Sequence, residues 1–107
     1  MHGFQISFYT QQGRRHKHMS IAEWLMQEAK SLGIAGATVT AAQGGYGRDG
    51  LYCSSHFFEL GDQPVEVSLA VNATQADQLF ARVIEEKVPL FYIKTPIEFG
   101  IIGEEQE

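Results

Sequence analysis

Pro64-Val65-Glu66-Val67-Ser68-Leu69-Ala70-Val71 is the stretch that decides the fold. Valine or leucine occupies every odd position from 65 to 71, with Glu, Ser and Ala between them. A period of two describes a strand with one covered face and one open face. The period then changes. Ala76, Leu79, Phe80, Val83, Ile84 and Val88 recur three or four residues apart. This spacing predicts a helix with Thr74 as N-cap, running to about Val88 and stopped by Pro89. Leu90 to Thr95 is a further strand, which Pro96 ends. Strand, helix and strand together form the second half of the chain.

The first half repeats that order. Phe4, Ile6 and Phe8 alternate with Gln5, Ser7 and Tyr9, giving a strand over Phe4–Thr10. A polar loop, Gln11–Met19, carries Arg14, Arg15, His16, Lys17 and His18. Ser20 opens a helix, and Glu23 three residues later completes the pattern of a capping box. Ile21, Trp24, Leu25, Ala29 and Leu32 form its buried stripe. Gly33 follows the last turn, where a left-handed backbone is cheap for glycine. Ala37–Ala42 is rich in β-branched residues and reads as a strand. Gln43–Gly50 is a loop with four glycines, Leu51–Leu60 is extended, and Gly61-Asp62-Gln63-Pro64 turns the chain. Ile97–Gly103 is apolar and unassigned, and Glu104–Glu107 is a frayed acidic tail. The order β-α-β-β-α-β predicts an α+β, ferredoxin-like sandwich, a four-stranded antiparallel sheet with two helices on one face. We expect one domain over residues 1–107.

Composition excludes several function classes. With 8 Lys+Arg against 13 Asp+Glu the net charge is −5, which disfavours a binder of nucleic-acid backbones. The open sheet face shows Ser7, Tyr9, Thr38, Thr40, Glu66, Ser68 and Ala70, not the row of aromatics that single-stranded RNA stacks upon. A face so poor in charge is the face that another subunit covers, so a homo-oligomer is expected. Cys53 is the only cysteine, which excludes an internal disulfide. No signal peptide is visible at the N-terminus, and the apolar runs fall far short of the ~20 residues of a membrane helix. The expectation is a cytoplasmic protein with no membrane insertion.

Enzymatic chemistry finds little support. Neither Cys53 nor any hydroxyl has a recognisable base beside it, and a nucleophile needs one. His56, next to Phe57 on a strand-like segment, reads as structural, and Trp24 and Phe80 read as core. His16 and His18 lack a matched carboxylate or cysteine that would make them a metal site. The chemistry instead concentrates in Gly33–Gly50, GIAGATVTAAQGGYGRDG, a strand entering a glycine-rich loop with one arginine. Successive backbone N–H groups of such a loop can hold an anion, and Arg48 adds a forked charged contact. The Arg14–His18 cluster is a second source of positive charge.

Gly33-Ile34-Ala35-Gly36-Ala37-Thr38-Val39, followed by Gly45-Tyr46-Gly47-Arg48 and Gly50, resembles the signature of PII signalling proteins. His56-Phe57-Phe58-Glu59-Leu60 and Val65-Glu66-Val67 are similar still more closely to the uncharacterised PII-like domain family. The resemblance spans Phe4 to Gly100. It implies a homotrimer with its sheets packed at the centre and an adenine nucleotide, or another small anionic metabolite, in clefts between subunits. It also implies a target protein engaged by the 43–52 loop. Carried over by position, Gly45, Gly47 and Arg48 match the loop base. Asp49 stands where PII proteins have a glutamine that helps hold metal and 2-oxoglutarate. Glu85-Glu86-Lys87-Val88-Pro89 replaces a glycine-rich phosphate loop, leaving Lys87 as its cation, and Lys94-Thr95-Pro96-Ile97-Glu98 replaces a basic Arg-x-Arg. Arg14, Arg15 and His16 complete the expected ligand-binding set as a basic lip. The alternative is a trimeric divalent-metal-binding protein of the cation-tolerance type, which shares the fold.

Overall fold

In the computed structural model, which describes residues 1–46, 52–54 and 63–104, ten elements follow one another. They are β1 (His2–Gln11), a short ribbon of β2 (Arg15–His16) and β3 (Met19–Ser20), α1 (Ile21–Ser31) and β4 (Ala37–Ala41). A second ribbon of β5 (Gly44–Tyr46) and β6 (Tyr52–Ser54) precedes β7 (Pro64–Val71), α2 (Ala73–Glu85) and β8 (Phe91–Glu98). The four long strands form one sheet in the order β4-β7-β1-β8, every pair antiparallel. Both helices cover one face. This is the ferredoxin-like α+β arrangement that the sequence predicts.

Register explains the core. Ile6 lies opposite Leu69 and Phe8 opposite Val67, so the apolar residues of the two central strands share the helix-facing side. They pack with Ile21, Trp24, Leu25, Ala76 and Leu79, all fully or almost fully buried. Shifting either strand by one residue would send its whole apolar set to the open face, so this register is strongly specified.

Both helices end in the same motif, with different residues. After α1, Gly33 has φ 76°, its N–H bonds to the Lys30 carbonyl and the Ile34 N–H bonds to Ala29. After α2, Lys87 has φ 56°, its N–H bonds to Ile84 and the Val88 N–H bonds to Val83. Each is a Schellman ending, in which a left-handed residue lets two N–H groups reach back to orphan carbonyls. Val83 and Val88 are both buried, giving the apolar contact that accompanies it.

Several expectations are corrected. The N-cap of α2 is Asn72, not Thr74. Its side chain accepts the Gln75 N–H at 2.8 Å, while the Gln75 side chain accepts the Asn72 N–H at 3.0 Å. The helix stops at Glu85, before Val88. Ile84 is not on the buried stripe and is 73% exposed. Ser20 does cap α1, accepting the Glu23 N–H at 3.1 Å, but its backbone is engaged in the β2–β3 pairing with Arg15. The 11–19 loop contains that ribbon. The glycine loop is in part a strand, since Gly44–Tyr46 pairs with Tyr52–Ser54. Pro96 does not end the last strand, which runs on to Glu98. Because β8 is an edge strand, a residue lacking an N–H can sit in it with that position turned outward. The rest of Leu51–Leu60, the Gly61-Asp62 turn, His56 and residues 105–107 of the tail lie outside the described residues.

The open face carries Ser7, Tyr9, Thr38, Thr40, Glu66, Ser68 and Ala70 as expected, in one cross-strand register. It also carries Phe91 and Ile93 from β8, paired with Tyr9 and Ser7. Phe91 is 57% and Ile93 47% exposed, and the Phe91 and Tyr9 rings lie 5.7 Å apart.

Candidate functional site

Three connections meet at one end of the sheet. β1 leaves there into the β2–β3 ribbon, β4 leaves there into the β5–β6 ribbon, and β8 enters there from α2. The register requires this, since Thr10 and Ala41 both lie opposite Val65 and Tyr9 lies opposite Phe91. Residues from positions 14 to 18 and 86 to 90 are thereby brought side by side.

The β2–β3 turn clamps the α2–β8 connection. Lys17 and His18, its two corner residues, have φ 53° and 66°. Left-handed backbone at both corners matches the twist of a two-residue hairpin, although neither is glycine or asparagine. The turn aims its cations at residues 86–89. Lys17 Nζ lies 2.8 Å and His16 Nε2 3.0 Å from the same carboxylate oxygen of Glu86. The Arg14 guanidinium donates to the Pro89 carbonyl at 2.9 Å, and that of Arg15 to the His18 carbonyl at 2.6 Å. His16 also meets the Trp24 ring edge-on at 4.8 Å. The hydrogen bond from Lys17, followed by that from His16, holds the Glu86 carboxyl below the usual glutamate range. The same bond to Glu86 raises the Lys17 ammonium above the usual lysine range.

Beside the clamp opens a groove of about 590 Å³ between α2, the connection and β8, lined among others by Phe80, Lys87, Val88, Pro89, Tyr92 and Lys94. Its walls are aromatic. Phe80 makes edge contacts with Phe8 at 5.8 Å and with Tyr92 at 4.8 Å. Lys94 Nζ sits 4.2 Å from the centre of the Phe4 ring and 5.8 Å from that of Phe80. Ring faces attract such a cation while leaving its protons available to a ligand. Among the described residues neither Lys87 nor Lys94 is in an ion pair, whereas Lys17 is. The groove therefore joins apolar, stackable walls to two uncommitted positive charges, the combination that suits an anion with a flat apolar body.

The residues expected from the sequence divide into three groups. Arg14, Arg15, His16 and Lys87 are gathered at this end, but the first three are engaged in the clamp and only Lys87 faces the groove. Gly45 lies in β5, beyond edge strand β4, while the groove borders the opposite edge strand, β8. Three strand spacings, about 14 Å, separate the two edges within a protomer. Gly47, Arg48 and Asp49 lie outside the described residues. Lys94, Tyr92 and Phe80 were not in the expected set. The available signal was parity: Tyr92 and Lys94 lie opposite Phe8 and Ile6, which puts a lysine on the helix-facing side of a strand. Among the described residues no group of three or more His, Cys, Asp or Glu is placed to hold a metal ion.

Solved structures of PII-like proteins superpose on this ferredoxin-like sheet. CPII, a nitrogen regulatory PII-like protein from Thiomonas intermedia K12 bound to ADP, AMP and bicarbonate, matches with a TM-score of 0.69. That match covers 94% of this chain and 91% of CPII at 15% identity. A Thermus thermophilus protein described as PII-like and signalling matches with a TM-score of 0.66, over 91% of this chain and 88% of that one, at 17% identity. The apo form of CPII gives a TM-score of 0.55, over 91% and 92% of the two chains, at 13% identity. Residues 3–90 match the family DUF190, described as "Uncharacterized ACR, COG1993", and the chain belongs to that family. No curated protein matches it in sequence. Among the described residues no helix is long and apolar enough to cross a membrane.

Proposed function

We propose that this protein is a PII-like regulatory protein, not an enzyme, that binds an adenine nucleotide or a similar small anion and controls a partner protein. The observation that carries the reading is the groove in which Lys87 and Lys94 stand free of ion pairs with the described residues, beside the Phe80–Tyr92 wall. Lys87 strengthens it. A non-glycine residue in the left-handed region costs about 1–2 kcal/mol, and glycine does the same work after α1. Strain of this kind is often kept where a side chain is needed.

The assembly we propose is a homotrimer closed through the open sheet faces, with Tyr9, Phe91 and Ile93 in the contact. A neighbouring copy would then bring its β5–β6 ribbon, and with it the 43–52 loop whose sequence carries Gly45, Gly47, Arg48 and Asp49, toward the groove of this protomer, whose own ribbon leaves from the opposite edge of the sheet. Ligand contacts made in only one state of the 43–52 loop would shift the population of that state and so the affinity for the target protein. CPII with ADP, AMP and bicarbonate bound supports this choice of ligands.

The test is thermal unfolding of the purified protein, its mass fixed by light scattering, against AMP, ADP, ATP and bicarbonate. A ligand at about 100 times its dissociation constant stabilises the native state by about 2.7 kcal/mol. We expect a shift with an adenine nucleotide that Lys94→Met and Arg48→Ala each abolish. A trimer indifferent to every compound would overturn the ligand; a monomer would overturn the shared cleft.

A further inference from the structure

We infer that Glu86 sets the charge of the ligand this groove prefers, disfavouring a triphosphate by pairing with Lys17 and His16, which would otherwise add to the positive lip. The inference rests on the anion-site reading above and concerns which anion the site selects. Five basic residues precede α1 between Arg14 and His18, adjacent to the connection that forms the groove wall. Left free, they would make a strongly positive lip fit for a triphosphate. The Glu86 carboxylate instead takes the Lys17 ammonium and the His16 ring on one oxygen. Both arginines direct their guanidiniums to backbone carbonyls. Glu86 is the residue immediately before Lys87, so its charge stands next to one of the two lysines that face the groove.

The resulting field favours a singly phosphorylated or carboxylate ligand on an aromatic body. Lys87 and Lys94 supply two positive charges, enough for one phosphate. Additional phosphates would meet a lip in which Lys17 is already paired with Glu86 and the two arginines are held on backbone carbonyls, beside the carboxylates of Glu85 and Glu86. The clamp is thus a specificity element; Glu86 and Lys17 act on the ligand through the local charge and through the position they impose on residues 87–89.

The experiment is calorimetric titration of the full-length protein with AMP, ADP and ATP, comparing wild type, Glu86→Gln and Lys17→Met. Glutamine keeps the size of Glu86 and still accepts a hydrogen bond from Lys17, so the ribbon remains docked. Removing one unit charge about a Debye length from a ligand changes affinity by roughly twofold per ligand charge. ATP carries about two more charges than AMP, so Glu86→Gln raises the ATP-to-AMP affinity ratio roughly fourfold. Lys17→Met, which leaves Glu86 without that partner, lowers the ratio. A purely structural role would weaken all three nucleotides alike and leave the ratio fixed. An unchanged ratio, or a ratio moving the same way in both variants, overturns the inference while leaving the anion site standing. Failure of wild type to bind any of the three overturns the anion site itself.

Discussion

Replacing Lys87 with glycine separates the folding role of that position from its proposed binding role. In the native state the residue has φ 56° and closes the C-terminus of α2, where the equivalent position after α1 is Gly33 with φ 76°. Relieving the left-handed backbone stabilises by about 1–2 kcal/mol. The larger freedom of glycine in the unfolded chain offsets about 0.5–1 kcal/mol of that. The Lys87 N–H to Ile84 and Val88 N–H to Val83 bonds use only the backbone and survive the change. The net expectation is a stabilisation of about 0.5–1 kcal/mol, or roughly 2–8 °C in the unfolding midpoint at 4–8 °C per kcal/mol for a domain of this size. Thermal unfolding followed by circular dichroism, without ligand and then with saturating ADP, measures both halves. The variant should melt higher than wild type alone and gain less from ADP than wild type does. A lower midpoint without ligand would show that the Lys87 side chain supports the fold, and its left-handed backbone would no longer point to a binding role.

Three further outcomes are expected. Phe91→Asp places a charge where a ring is 57% exposed in the protomer; covering that ring contributes about 1–2 kcal/mol per subunit, repeated three times in a trimer. The variant should elute as a folded monomer by light scattering and circular dichroism, and a variant that keeps the wild-type trimer mass would remove the sheet face from the interface. Asn72→Ala should lower stability in urea by about 1 kcal/mol, because a cap and half of a reciprocal pair are lost, whereas Thr74→Ala should be nearly neutral. For pH, the Glu86 carboxyl is held low by Lys17 and then His16, so its contribution is present above the ordinary glutamate range and disappears as pH falls through the lowered value. The difference in urea midpoint between wild type and Glu86→Gln should therefore be steady from about pH 6 to 9 and fade below about pH 4; a difference persisting in strong acid would point to packing instead of charge.

Much of the architecture is legible in the chain because it depends on local period. Val65 to Val71 alternate whatever they pair with, and the stripe from Ile21 to Ala29 repeats at helical spacing before any partner is known. The glycine run and Arg48 carry the resemblance to PII proteins, and the matching family and solved structures agree with it. The misplacements are informative. Thr74 and Asn72 are both good caps, and the choice fell to Gln75, whose side chain reaches back to Asn72. Pro96 ends a strand only where its missing N–H would be needed, and edge position is not a local property. Ile84 fits the apolar spacing but lies outside the covered arc of α2.

Hydrophobic period acts over a few residues, and for that reason the order of elements, the parity that faces the helices and the class of fold were all written in the chain. The site was not. The clamp joins residues 70 apart, His16 and Glu86, and no spacing rule relates them. It turned a run of basic residues from a free lip into ion pairs and carbonyl contacts, and left Lys87 and Lys94 as the charges that face the groove. Which cation is spoken for is a matter of distance in space, settled only when the antiparallel register sets β1, β7 and β8 side by side.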